Sequence, residues 1–169
     1  IHPAFNKCPA SHGCLHKVYK KAEELNKPLL IHAGRWGISD WKYSVEVAEM
    51  FKVKVIIAHM GGNDHHAQVE GPAFVKNSVS EDVRNRIWFD TSMARSWTFK
   101  KSLEALGPDR FVFASDYPIY GSKIELQFVN PQPKDGISSY RNATHWADFM
   151  VGLTDKKPTI SGNTLNGWD

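Results

Sequence analysis

Val53-Lys54-Val55-Ile56-Ile57-Ala58-His59-Met60-Gly61-Gly62 is the stretch from which the fold can be read. A short apolar, β-branched run closed by glycines reads as a buried strand ending in a tight turn. His59 stands where the backbone leaves the core. Two other stretches repeat the arrangement. Pro28-Leu29-Leu30-Ile31-His32-Ala33-Gly34 ends on His32, and Arg110-Phe111-Val112-Phe113-Ala114-Ser115-Asp116-Tyr117-Pro118 ends on Asp116. Three strands therefore deliver a metal-binding or proton-transferring side chain at the same end.

Between these strands the apolar pattern is helical. Residues 15–25 align Leu15, Val18, Tyr19, Ala22 and Leu25 on one stripe. Asn26-Lys27-Pro28 stops that helix, because proline disfavours helical backbone in the residue before it. Asp40 is a candidate N-cap for a helix over 41–51 with Trp41, Val45, Ala48 and Phe51 facing inward. Residues 67–83 read as a helix interrupted near Gly71-Pro72, 86–91 as a strand, 97–106 as a helix ended by Gly107-Pro108, and 111–114 as a strand. Residues 119–138 read as a long connection, 140–152 as a helix, and 154–169 as a tail with one more helical turn. Strand ends at His2, His32, His59, Thr91 and Asp116 recur at intervals of 30, 27, 32 and 25 residues. Such alternation argues for parallel strands joined by right-handed crossovers.

Parallel strands of this kind build either an open doubly wound sheet or a β/α barrel. The open sheet calls for a phosphate loop or dinucleotide fingerprint, and neither GxGxxG nor GxxxxGK[ST] occurs. A barrel calls for single polar residues from several strand ends meeting at one point, which His32, His59 and Asp116 supply. The α/β barrel is the favoured reading.

Composition narrows the function classes. The 169 residues are 41% hydrophobic and 23% charged with a formal net charge of +3, as in a globular domain with a core. Lysine pairs such as Lys20-Lys21 and Lys100-Lys101 are interleaved with acids and leave no nucleic-acid footprint. No apolar run approaches the roughly 20 residues of a membrane span, and the opening residues lack the regions of a signal peptide. Cys8 and Cys14 fit no common zinc spacing and are expected to be reduced thiols of a cytoplasmic protein. Ile1-His2-Pro3 reads as the end of a strand already under way. His12, His16 and His145 read as surface residues.

His2-Pro3, Leu30-Ile31-His32-Ala33-Gly34, Ile57-Ala58-His59-Met60-Gly61-Gly62, Phe89-Asp90-Thr91-Ser92 and Phe113-Ala114-Ser115-Asp116-Tyr117-Pro118 together resemble the amidohydrolase superfamily. The branch they are most similar to is the amidohydrolase-related group that includes aminocarboxymuconate-semialdehyde decarboxylase and the resorcylate decarboxylases. The resemblance runs from His2 to about Pro118 and resumes weakly at Gly162-Asn163. It implies a partial (β/α)8 TIM-type barrel, about strands four to eight with their helices, as a single domain over 1–169. The family's first strand ends in His-x-His, and no His-x-His occurs here; His65-His66 is adjacent and follows the wrong strand. The chain is thus expected to be the C-terminal portion of a longer enzyme or a truncated relative.

The resemblance also implies roles. His32 and Asp116 correspond to divalent-metal ligands, with zinc expected and manganese or another divalent ion as alternatives. His59 corresponds to the proton-transferring histidine, and Asp116 is a candidate base as well. An imidazole titrates near neutral pH and suits acid–base work. Arg35 and Trp36 follow His32 on the loop above the site and are candidate substrate-binding residues, the arginine for a carboxylate; His2 is a third, and Arg95 a weaker one. The expected activity is metal-dependent hydrolysis or non-oxidative decarboxylation of a small carboxylated or cyclic substrate, requiring the missing His-x-His segment. The alternatives are a non-catalytic partial-barrel remnant and an oligomerising binding module. Partners are a small-molecule substrate and a second copy of the chain, with no nucleic acid and no membrane.

Overall fold

The computed structural model describes residues 1–34, 37–114, 116, 160–161 and 164–165. Its centre is a four-stranded parallel sheet in chain order: β1 Leu29–Ile31, β2 Val55–Ile57, β3 Ile87–Asp90 and β4 Phe111–Val112. Ile1 adds a strand position on the free side of β1. Its amino group donates to Leu30 O (2.8 Å) and its carbonyl accepts from His32 N–H (2.9 Å), the slanted pattern of parallel pairing. Parallel α/β alternation of five strand positions is the architecture expected of part of a TIM-type barrel.

Helices follow the first four strand positions: α1 Pro3–Asn6 and α2 His16–Glu24, then α3 Lys42–Met50, then α4 His65–Ser78 and α5 Glu81–Arg84, then α6 Ser96–Leu106. One face of the sheet is buried under them through Ile31, Val55, Ile57, Ile87 and Phe89. Alternation turns Leu30, Ile56 and Trp88 to the other face, where they lie in one register row. That face is less covered, and Leu30 is 54% exposed.

Helix α3 buries the face read from the sequence, with Trp41, Val45, Ala48 and Phe51 all in the core. Asp40 sits at its start, accepting from Lys42 N–H at 2.9 Å. At its other end the Arg86 guanidinium donates to the Ala48 and Phe51 carbonyls, both at 2.6 Å, which satisfies terminal groups that helix geometry leaves open. In α2 only Tyr19 and Ala22 are buried. Val18 and Leu25 are exposed, so the inward stripe is narrower than the periodicity suggested.

The expected interruption at Gly71-Pro72 does not occur. Helix α4 runs through both residues, and the break falls after Ser78, where Ser80 caps the short α5. Proline removes the N–H that would reach the carbonyl four residues back. Here that carbonyl is Gln68 O, and the Ser102 hydroxyl of α6 donates to it at 2.8 Å. A Cβ on Gly71 would lie 3.3 Å from Phe89 Cε1, so the glycine lets the helix approach the sheet. We expect Ser102→Ala to cost about 1–3 kcal/mol in denaturant unfolding, the typical cost of a buried unsatisfied carbonyl.

In the tail expected over 154–169, β5 Ile160–Ser161 pairs antiparallel with β6 Thr164–Leu165; the other residues of that tail, where the expected helical turn would fall, lie outside the described residues. The expected connection over 119–138, the helix over 140–152 and Gly162-Asn163 lie outside the described residues. Among the described residues no helix is long and apolar enough to cross a membrane.

Candidate active site

The carboxyl ends of the strands open into a cavity of about 520 Å³ whose lining includes His2, Leu30, His32, His59, Asp90, Ser92 and Asp116. The three strand-end residues named from the sequence therefore face one space. His32 simply continues the alternation of β1. His59 does not: continued alternation would place it with Val55 and Ile57, under the helices. Its backbone and that of Met60 instead adopt left-handed angles (φ 56° and 53°), rare for residues other than glycine. The kink brings the imidazole into the cavity, where it is 4% exposed.

Two contacts hold that kink. His59 N–H donates to Asp90 Oδ1 at 2.9 Å, and Gly62 N–H closes the turn on His59 O at 2.9 Å. Gly62 itself is required by proximity: a Cβ there would stand 2.9 Å from Gly34 O, in the loop after β1.

Asp90 Oδ1 also accepts from Ser92 N–H (3.0 Å) and from the Ser92 hydroxyl. Burial pushes the Asp90 carboxyl up, while the Ser92 and His59 donors oppose that shift. Because the Ser92 proton is given to Asp90, Ser92 Oγ is left to accept from His59 Nδ1, 2.8 Å away. His59 Nε2 is then an acceptor, and His32 Nδ1 at 3.1 Å is its donor. Assigned from this network, the chain of hydrogen bonds runs His32 to His59 to Ser92 to Asp90. It leaves the lone pair of His32 on Nε2.

His2 stacks on His32 with ring centroids 3.9 Å apart and planes 10° from parallel, and Phe5 packs on His2 at 4.1 Å. Burial, then the neighbouring His2 and His59, lower the His32 pKa from 6.5 to about 4, with Asp116 acting in the opposite direction. Above about pH 6.5 the ring is neutral in folded and unfolded chains alike. Between about 6.5 and 4 the unfolded chain takes up a proton that the folded chain refuses, so stability falls as the solution is acidified. Histidine-detected NMR titration should find His32 neutral to about pH 4, with unfolding midpoints dropping across that window.

A neutral imidazole with a free Nε2, facing the same cavity as a carboxylate, is a donor pair suited to a divalent ion. His32 and Asp116 meet that requirement. Among the described residues, however, no third side chain joins them in a metal-sized group; the one such group is Cys8, His12 and Cys14. Arg35, Trp36, Tyr117, Pro118 and His145 lie outside the described residues. Arg95 is not among the cavity's lining residues. His12 is exposed, as expected of a surface residue, with Nδ1 accepting from Cys14 N–H, whereas His16 is half-buried and packs edge-on against Phe51.

Sequence reading missed Asp90 and Ser92 by placing the strand end at Thr91. The period of two through Ile87 and Phe89 carries the signal, since it places Asp90 beside Trp88 on the cavity side. It also missed Gln68, buried on α4, whose amide donates to Gly62 O (3.1 Å) and Met93 O (3.0 Å) and accepts from Arg95 N–H (3.3 Å) and Thr98 Oγ1 (2.7 Å). This one side chain ties the turn after β2 to the turn after β3 and the start of α6.

Residues 1–133 match the sequence model of a family described as Amidohydrolase. Among solved structures, a 5-carboxyvanillate decarboxylase from Sphingomonas paucimobilis superposes with a TM-score of 0.55 at 20% identity, over 89% of this chain and 56% of that one. A 2,6-dihydroxybenzoate decarboxylase from Rhizobium aligns with a TM-score of 0.47 at 15% identity, and one complexed with 2,6-dihydroxybenzoate with 0.49 at 14%, each over 69% of this chain and 48% of the other. The chain spans about half the length of the solved structures it matches. No curated protein matches the sequence.

Proposed function

The chain belongs to the amidohydrolase family, and from that premise we propose that it carries the proton-transfer half of a metal-dependent active site. The reaction class is hydrolysis or non-oxidative decarboxylation of a small carboxylated or cyclic substrate, in the manner of the group around aminocarboxymuconate-semialdehyde decarboxylase. The observation that carries the reading is the hydrogen-bonded series His32, His59, Ser92 and Asp90 at the wall of one cavity.

In this reading His32 Nε2 and Asp116 hold a divalent ion, zinc first, with manganese or another divalent ion as alternatives. When bound, such an ion polarises the substrate or activates water. His59 moves the proton at Nε2 and is kept in its tautomer by Ser92, which is oriented by Asp90. His2 lines the substrate space, with Arg35 and Trp36 as further substrate-binding residues. A His-x-His pair from outside residues 1–169 completes the ligand set. Both cysteines are free thiols, in keeping with a cytoplasmic setting.

The test is an assay of carbon dioxide release from aromatic carboxylates, and of ring opening of cyclic amides, on the longest natural chain containing these residues. Activity toward one class that is lost on chelation and restored by a divalent ion is the expected result. Activity insensitive to chelation, or none toward either class, counts against the reading.

A second reading, a non-catalytic remnant or oligomerising binding module, is favoured by the exposed Leu30 and its row on the open sheet face. Light scattering on residues 1–169 separates the two: a stable oligomer that lacks activity in the longer chain supports the module.

A further inference from the structure

The loop between Ile1 and α2 brings together three metal-ligating side chains that the catalytic reading does not use. Cys8 Sγ lies 3.4 Å from Cys14 Sγ, and a His12 nitrogen and both sulfurs all fall within 4.8 Å of one another. Neither cysteine is in a disulfide.

The loop is held in this shape by contacts that spare the two sulfurs, and His12 Nδ1 accepts from Cys14 N–H at 3.2 Å. Two successive turns close it, His12 N–H on Pro9 O and Leu15 N–H on His12 O, each at 3.0 Å. The fully buried Tyr19 donates its hydroxyl to Ala10 O, and His16 Nε2 meets Ser11 O at 3.2 Å. Cys8 is buried while His12 and Cys14 are exposed, so the group has a fixed inner donor and an outer side open to solvent.

Geometry distinguishes an ion from a disulfide. In a zinc tetrahedron with Zn–S bonds of about 2.3 Å, two sulfurs stand about 3.8 Å apart. A disulfide needs about 2.05 Å. The observed separation needs a shift of a few tenths of an ångström for the first and more than an ångström for the second. Two sulfurs and an imidazole are also the donor set that zinc prefers.

We propose that Cys8, His12 and Cys14 form a second metal site, for a thiophilic divalent ion such as zinc, separate from the His32 and Asp116 cavity. On binding, the two thiols release their protons to solvent and a water completes four-coordination. The ion staples the loop that leaves His2.

Cobalt(II) titration of the purified protein tests this, because thiolate ligation gives a charge-transfer band that nitrogen and oxygen ligands do not. One equivalent of cobalt should produce the band, and zinc should displace it. Cys14→Ser and His12→Ala, both at exposed positions, should weaken cobalt binding by at least about 100-fold, more than the loss of an outer-shell contact. His32→Ala and Asp116→Ala should leave the band unchanged. The proposal is overturned if the band is missing or survives in Cys14→Ser. A Cys8–Cys14 disulfide that persists in a reducing glutathione buffer overturns it equally.

Discussion

Under the proposed function, His59→Asn should lower turnover of the metal-loaded longer chain by about 10²–10⁴-fold, the usual share of a general acid–base group, with the unfolding midpoint little changed. Asparagine is the conservative choice for a physical reason. It is among the few residues at ease in left-handed backbone, the conformation found at position 59. Its amide can still meet Ser92 Oγ, yet it cannot exchange a proton near neutral pH. Steady-state rates beside thermal unfolding of the same preparations check the prediction. Equal losses of turnover and stability would mean that His59 only shapes the turn. Unchanged turnover would remove it from the chemistry.

Gln68→Leu costs about 3–5 kcal/mol in urea unfolding, enough to consume much of the stability of an ordinary domain. Leucine matches the volume but removes the amide donors to Gly62 O and Met93 O. It also removes the acceptor shared by Arg95 N–H and Thr98 Oγ1. Each buried polar group left without a partner costs about 1–3 kcal/mol. Gln68→Glu offers a sharper control. It keeps the acceptor side but turns a carboxylate oxygen toward two carbonyls, so it should destabilise at neutral pH and recover in part on acidification. A loss under 1 kcal/mol for Gln68→Leu would show that the carbonyls are satisfied without the amide.

The two histidine strand ends were legible because apolar runs with single polar tips are local patterns, and His32 and His59 could be named from their own ten residues. Asp116 was legible for the same reason, although the loop beyond it lies outside the described structure. Asp90 was not, because its strand is followed by Thr91-Ser92, and three consecutive polar residues hide which one alternation brings to the cavity. Gln68 was invisible in principle: a glutamine within a helix looks like a surface residue until its neighbours in space are known. The Cys8, His12 and Cys14 group was passed over for a related reason. Its spacing fits no common zinc pattern, and only the two turns through Pro9 and His12 bring the ligands together. The helix break misread at Gly71-Pro72 shows a long-range contact overriding a local rule, since the compensating hydroxyl comes from thirty residues away.

That last pairing has a consequence for inheritance. With proline at 72, the hydroxyl at 102 supplies the proton that the helix withholds from Gln68 O. A residue with an ordinary N–H at 72 would supply it from the backbone and make the hydroxyl dispensable. Positions 72 and 102 should therefore change together among relatives. Descendants that lose the proline are free to lose the serine, whereas a lineage that loses the serine first carries a destabilised helix until position 72 follows.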